Sequence, residues 1–275
     1  MAGVSDGDAA ASDSSTADDA ERTNATMRGS KVVVDDVGKV YESDRQRVEA
    51  LSGVRFTVND GEFVCLVGPS GCGKTTLFRT IAGLEAPTSG EIRLDGEPVT
   101  GPGTDRGMVF QEYGLFPWRT VRENVAFGLE EQGVRGTERT DRIDEMLQLV
   151  GLTDFADAYP KELSGGMKQR VGIARALAVD PEILLADEPF GSVDAQTRDM
   201  LHQELLRIWS ETEKTVLFVT HDVEEAVKLS DRVVVMAADP GRVREVVTVD
   251  LDRPRDRTEP AFGEYVDRVR RLIGE

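Results

Sequence analysis

Residues 62–82 run from strand to loop to helix without a break. Glu62-Phe63-Val64-Cys65-Leu66-Val67 is an almost continuous apolar run, the pattern of a strand covered on both faces. Gly68-Pro69-Ser70-Gly71-Cys72-Gly73-Lys74-Thr75 follows and fits G-x-x-x-x-G-K-[ST], and from Lys74 to Ala82 the apolar spacing is helical. In this setting the glycines let successive backbone N–H groups face phosphates, and the helix N-terminus adds partial positive charge. Lys74 is expected to contact the β- and γ-phosphates of ATP, and the Thr75 hydroxyl to ligate Mg²⁺. The octapeptide and Thr76 after it are the predicted ATP-binding residues.

Two further segments bear on the same chemistry. Ile183-Leu184-Leu185-Ala186 leads into the paired carboxylates Asp187-Glu188. Asp187, at a strand end, is expected to hold the magnesium shell, and Glu188 to orient or polarise the attacking water as general base. Between this strand and the phosphate loop lies Leu163-Ser164-Gly165-Gly166, a hydroxyl and two glycines opening a helix. That is a second anion site, surplus to a chain that binds one nucleotide alone. The surplus predicts an ATPase that works as a dimer.

Strands at Lys31–Asp35, Val54–Val58, Glu91–Asp95, Val216–Thr220 and Arg232–Met236 alternate with helical stretches, which predicts an α/β parallel sheet. A charged, helical-period stretch from about Thr120 to Val150 predicts a small helical subdomain ending near Pro160. Asp239-Pro240-Gly241 reads as a turn, followed by one more strand and an amphipathic helix around Phe262–Ile273. His202 reads as a helix-surface residue.

The net charge of −18 disfavours a nucleic-acid binder, which needs basic patches to neutralise phosphates. Residues 1–30, with six acidic side chains and two arginines, are expected to be a disordered acidic tail. Only seven of the 33 basic residues are Lys. An acidic, Lys-poor surface suits a salt-rich, halophilic cytosol, where screening relieves self-repulsion. Cys65 and Cys72 read as a buried thiol and loop filler and not as a disulfide or metal pair. No apolar run approaches the length of a membrane span.

The phosphate loop, Gln111, Leu163-Ser164-Gly165-Gly166, Asp187-Glu188 and His221, in that order, resemble the nucleotide-binding subunit of an ABC transporter, from about residue 31 to 240. The resemblance implies a P-loop NTPase (RecA-like) α/β core with a small antiparallel β subdomain and an inserted helical subdomain. The ATPase domain would span 31–275, its helical subdomain about 115–165 and its C-terminal strand and helix about 240–275. It implies a head-to-tail homodimer with two MgATP at the interface, where Ser164, Gly165, Gly166 and Asp194 of one subunit reach the nucleotide of the other. It assigns Gln111 to Mg²⁺ and water, His221 to holding the γ-phosphate and Glu188 in register, and Tyr41 to stacking on adenine. Met167 stands where the family often has Gln, and Val193 where Leu is usual.

Separate permease subunits, and through them an extracytoplasmic solute-binding protein, are the implied partners, which puts the chain peripherally on the cytoplasmic face of the membrane. Phe116 and Trp118 are expected either to dock on the permease or to fill core. Phe116–Val121, Met167 and Asp250-Leu251-Asp252-Arg253-Pro254-Arg255 are similar to the nitrate/sulfonate/taurine importer branch. An ABC exporter ATPase, a non-transport ABC ATPase and a monomeric P-loop kinase are the competing readings. The transported solute is not written in the chain.

Overall fold

The computed structural model describes residues 29–43, 46–191 and 193–274. The expected acidic tail lies outside the described residues apart from Gly29 and Ser30. The chain opens with β1 (Val32–Ser43) and β2 (Gln46–Val58), followed by β3 (Phe63–Val67) and α1 (Lys74–Ile81). Next come β4 (Ser89–Leu94), β5 (Glu97–Pro98) and β6 (Arg106–Phe110). A helical stretch holds α2 (Val121–Glu131) and α3 (Gly136–Leu149), then short 3-10 turns at Thr153–Phe155 and Pro160–Glu162, and α4 (Gly165–Ala178). The remainder is β7 (Ile183–Asp187), α5 (Ala195–Thr212), β8 (Thr215–Val219), α6 (Val223–Leu229), β9 (Arg232–Ala237), β10 (Arg242–Thr248) and α7 (Pro260–Ile273).

Two sheets form. One is a four-stranded sheet in the order β2-β1-β4-β5, with antiparallel neighbours. The other has six strands in the order β10-β9-β3-β8-β7-β6, parallel except for β10 at one edge. Parallel strands put their carboxyl ends on one edge, which is where ligands bind in open α/β sheets. β3, β6, β7 and β8 therefore deliver the phosphate loop, Gln111, Asp187 and His221 to the same edge.

The continuous apolar runs are explained by burial on both faces: all five residues of β3 and of β8 are buried. Successive side chains point to opposite faces. Phe63, Cys65 and Val67 join the core under the helices α2–α7, whereas Val64 and Leu66 join the core shared with α1 and the antiparallel sheet. The thiols follow the same division, Cys65 in the first core and Cys72 in the second, and both are free and buried.

α2 starts where the sequence supplies a capping box. The Thr120 hydroxyl accepts from the Glu123 N–H at 3.2 Å, and the Glu123 carboxylate accepts from the Thr120 N–H at 2.8 Å. Just inside this cap, buried Asn124 accepts from the Phe116 N–H at 2.8 Å and donates to the carbonyls of Phe116, Arg119 and Thr120. These bonds fix the aromatic loop and leave Trp118 71% exposed, so that ring does not fill core. Phe116 is half-buried against Phe127, with ring centroids 4.7 Å apart.

Candidate active site

The phosphate loop joins the end of β3 to α1. Gly73 is the N-cap of α1 at φ 89°, and a Cβ there would lie 2.7 Å from the Leu51 side chain and 2.8 Å from the Ala50 carbonyl. Glycine is required by conformation and by space. The Lys74 ammonium donates to the Gly68 carbonyl at 2.7 Å and the Pro69 carbonyl at 3.1 Å, and only 8% of the residue is exposed. Of the predicted loop residues, Ser70, Gly71, Gly73, Lys74, Thr75 and Thr76 line a cleft. Gly68, Pro69 and Cys72 do not line it. Burial pushes the Cys72 thiol up, away from its reactive ionised form.

Glu188 and His221 line the same cleft. Glu188 follows β7 in a left-handed conformation at φ 44°, which a non-glycine residue adopts only when its surroundings fix it. Two hydrogen bonds do so: its N–H donates to the Val219 carbonyl at 2.9 Å, and its own carbonyl accepts from the Gly191 N–H at 3.1 Å. The outcome is a Glu188 Oε2 to His221 Nδ1 distance of 3.0 Å. Gln111 lies against the turn that carries Glu188, since a Cβ on Gly191 would meet the Gln111 amide nitrogen at 3.1 Å. Asp187 lies in register with Phe110 on β6 and Val219 on β8.

The donor set fits a magnesium ion. Burial and the neighbouring Glu188 raise the Asp187 carboxyl above its ordinary range, despite opposing charge from Arg79 and Lys74. Two adjacent, half-buried acids repel one another, and a bound cation would relieve that repulsion. Among the described residues no cluster of three or more His, Cys, Asp or Glu could hold a metal. The Asp187 carboxylate and the Thr75 hydroxyl are donors of the kind magnesium takes, one or two carboxylates beside substrate phosphates.

Tyr41 lies at the β edge of this region without lining the cleft. Its register partner on β2, Val48, does line it. The Tyr41 hydroxyl donates to Glu85 and lies 3.5 Å from the Thr76 hydroxyl, while the Lys39 ammonium sits 5.1 Å from the ring centroid. One face of the ring is therefore taken by a cation.

Ser164 and the glycines are elsewhere. Ser164 caps α4, its hydroxyl accepting from the Met167 N–H at 3.3 Å. Together with Gly166 it lines a separate hollow against Thr197 and Leu201 of α5. No residue is shared between this hollow and the phosphate cleft. Asp194 caps α5 and accepts from the Thr197 N–H at 3.0 Å, and those backbone donors hold its carboxyl below its usual range.

Sequence reasoning missed three things. Glu49 from β2 and Asp239 from the turn after β9 line the phosphate cleft and add negative charge to its rim. His202 is no surface residue: it is fully buried, and its Nε2 lies 2.6 Å from Glu225 Oε1. The signal was present, because His202 falls on the α5 stripe of Leu201, Leu205 and Ile208.

The family model described as ABC transporter matches residues 51–191. An uncharacterized ABC transporter ATP-binding protein of Methanocaldococcus jannaschii is 55% identical over 88% of this chain and 91% of its own length. A nitrate import ATP-binding protein of Synechocystis sp. is 50% identical, covering 87% of this chain and 94% of that protein. An aliphatic sulfonates import ATP-binding protein of Bacillus cereus is 45% identical, with 86% and 94% covered. Among solved structures, a dimeric ATP-binding cassette in a post-hydrolysis state with ADP and Pi superposes with a TM-score of 0.68. It is 34% identical and covers 80% of this chain and all of that one.

Proposed function

Because the chain belongs to the ABC transporter family of ATP-binding proteins and hydrolyses ATP, we propose that it powers an importer as a homodimer with two composite MgATP sites. The observation that carries the reading is the separation of the phosphate cleft from the Ser164 hollow within one chain. Two anion-binding half-sites that do not meet in one copy are completed by a second, in a two-fold isologous pair where each copy's cleft faces the other's hollow.

Each residue then has a task. The loop from Gly68 to Thr76 cradles the phosphates of ATP, and Lys74 turns its ammonium from the loop carbonyls onto the β- and γ-phosphates. Tyr41 offers its free ring face to adenine. Thr75, Asp187 and Gln111 hold Mg²⁺, which when bound neutralises charge developing on the transferred phosphoryl group. Glu188 orients the attacking water and accepts its proton, and His221 keeps Glu188 in register with the γ-phosphate. Ser164, Gly165, Gly166 and Asp194 close the site from the second copy. The unit doing this spans 31–275, with residues 115–165 as its helical subdomain.

We assign the chain to the cytoplasmic face of the membrane, against separate permease subunits. Exposed Trp118 beside Phe116 is the contact surface, and a solute-binding protein acts through the permease. Among the described residues no helix is long and apolar enough to cross a membrane. The names of the relatives support a small oxyanion, nitrate or a sulfonate, as cargo. The acidic, Lys-poor composition supports work in concentrated salt.

The test is Glu188→Gln in the full chain. It should bind ATP, elute as a dimer in ATP by size exclusion, and lose turnover by about a hundredfold or more. Turnover at the wild-type rate would overturn the assignment of the base.

A further inference from the structure

The position of His221 needs an explanation that its own contacts do not supply. Its side chain is 65% exposed, and its one hydrogen bond among the described residues is the 3.0 Å contact to Glu188. An exposed imidazole with a single partner is held by its backbone. That backbone lies between β8 and α6 and is clamped from both sides by the residue before it. The Thr220 hydroxyl, 2% exposed as a residue, accepts from the Asp222 N–H at 3.0 Å and so bridges across His221. The same hydroxyl donates to Glu225 Oε2 on α6.

The other carboxylate oxygen of Glu225 is 2.6 Å from His202 Nε2 on α5. A carboxylate has no proton to give, so it fixes the His202 tautomer with the proton on Nε2. All three members of this chain are buried, at 0% for His202, 4% for Glu225 and 2% for Thr220. Phe190 packs edge-on against the His202 ring with centroids 5.4 Å apart. Asp199 is the next charge, 3.8 Å from His202 Nδ1, and it is already taken by Lys228 at 2.8 Å and Arg257 at 3.1 Å. Every link from His202 Nε2 through Glu225 to Thr220 is made, although His202 Nδ1 is buried without a hydrogen bond, and the chain specifies one geometry because each broken link would leave a further dry polar group.

We propose that His202 is a positioning residue for ATP hydrolysis: through Glu225 and Thr220 it fixes the backbone of His221 and thereby the His221–Glu188 contact. The inference rests on the proposed roles of His221 and Glu188 and adds to them a residue that touches neither nucleotide nor water. α5 reaches the Ser164 hollow through Thr197 and Leu201, the latter adjacent to His202. One helix thus supports both half-sites.

The experiment is steady-state phosphate release by the full chain, with kcat and KM for ATP read separately. His202→Leu removes the Nε2 donor at similar volume. It should lower kcat on the order of ten- to a hundredfold, the cost of misplacing a reacting group by up to an ångström. KM should stay within about twofold, since the phosphate loop is untouched. His202→Gln, whose amide nitrogen reaches the Nε2 position, should restore most of the rate. A structural role alone would not produce the decisive result, which is that His202→Leu costs nothing further when His221 is already Ala.

An equal proportional loss in the His221→Ala background would overturn the inference and leave the proposed site standing. Wild-type turnover by His221→Ala would overturn the site assignment and this inference with it. Should His202→Leu fail to fold, Thr220→Val breaks the same chain at its other end with little change of shape. It should show the same loss of kcat and the same absence of effect in His221→Ala, and a wild-type kcat for Thr220→Val would refute the proposal.

Discussion

Arg255→Met is the most demanding stability test this structure offers. The Arg255 guanidinium is buried and donates to four backbone carbonyls: Val227 at 2.5 Å, Ser230 at 2.6 Å, Leu251 at 3.0 Å and Val249 at 3.1 Å. Val227 lies in the last turn of α6 and Ser230 caps it, where a helix leaves its last carbonyls without N–H partners. Removing the donors strands these acceptors away from water, at about 1–3 kcal/mol each. Against that stands the desolvation of the guanidinium, several kcal/mol, which methionine no longer requires. The balance is a loss of about 3–5 kcal/mol, the usual cost of breaking a buried charged network. In a protein of this size it lowers Tm by about 10 °C. Urea unfolding followed by circular dichroism reads the free energy directly, provided the slope with denaturant is unchanged. Arg255→Lys should recover less than half of the loss, because an ammonium lacks the planar fork that spans four acceptors. A loss below about 1 kcal/mol for Arg255→Met would refute the reasoning that these carbonyls depend on it.

Three further outcomes are expected. Ser164→Arg should leave ATP binding to the chain unchanged by calorimetry while reducing turnover at least about a hundredfold, and unchanged turnover would remove the composite site. Asp187 has a folded-state carboxyl raised by burial and Glu188, so its ionised form costs the nucleotide-free fold stability at neutral pH. That cost disappears as pH falls through the folded value and the carboxyl takes up its proton. Asp187→Asn should therefore raise the nucleotide-free Tm at neutral pH, with the gain shrinking under acid, and a lowered Tm at neutral pH would contradict it. Raising KCl from about 0.1 M to about 2 M should increase Tm by screening a net charge of −18, and a Tm independent of salt would exclude a salt-adapted surface.

The phosphate loop was legible because its requirements are local. Gly73 must be glycine for its own φ and for the approach of Ala50 and Leu51, and eight consecutive residues carry the whole signal. The carboxylates were legible for a similar reason, lying where an apolar strand stops. His202 was not, since the face of α5 it occupies acquires meaning only when Glu225, 23 residues away, packs against it. The segment Asp250–Arg255 carried no chemistry in the sequence beyond a family likeness. In the structure Arg255 binds the end of α6, and Arg253 donates to the Leu229 carbonyl at 2.7 Å and to Asp231 at 2.6 Å. Their role depends on the fold bringing a late segment back to a helix end, which no local pattern states. Tyr41 falls between these cases: the ring is plain from the residue, and only the fold sets Lys39 over one of its faces.

In the proposed composite site, the separation of the phosphate cleft from the Ser164 hollow has a genetic consequence. Take one population of chains with Lys74→Ala and another with Ser164→Arg. Alone, each assembles dimers in which every site carries one lesion, and neither works. Mixed dimers distribute the damage unevenly. The sound cleft of one chain meets the sound hollow of the other, while both lesions fall together in the second site. Random exchange of two inert proteins then restores about a quarter of the intact sites. On the proposed arrangement such a chain complements itself in trans, and the unit on which a mutation acts is the pair.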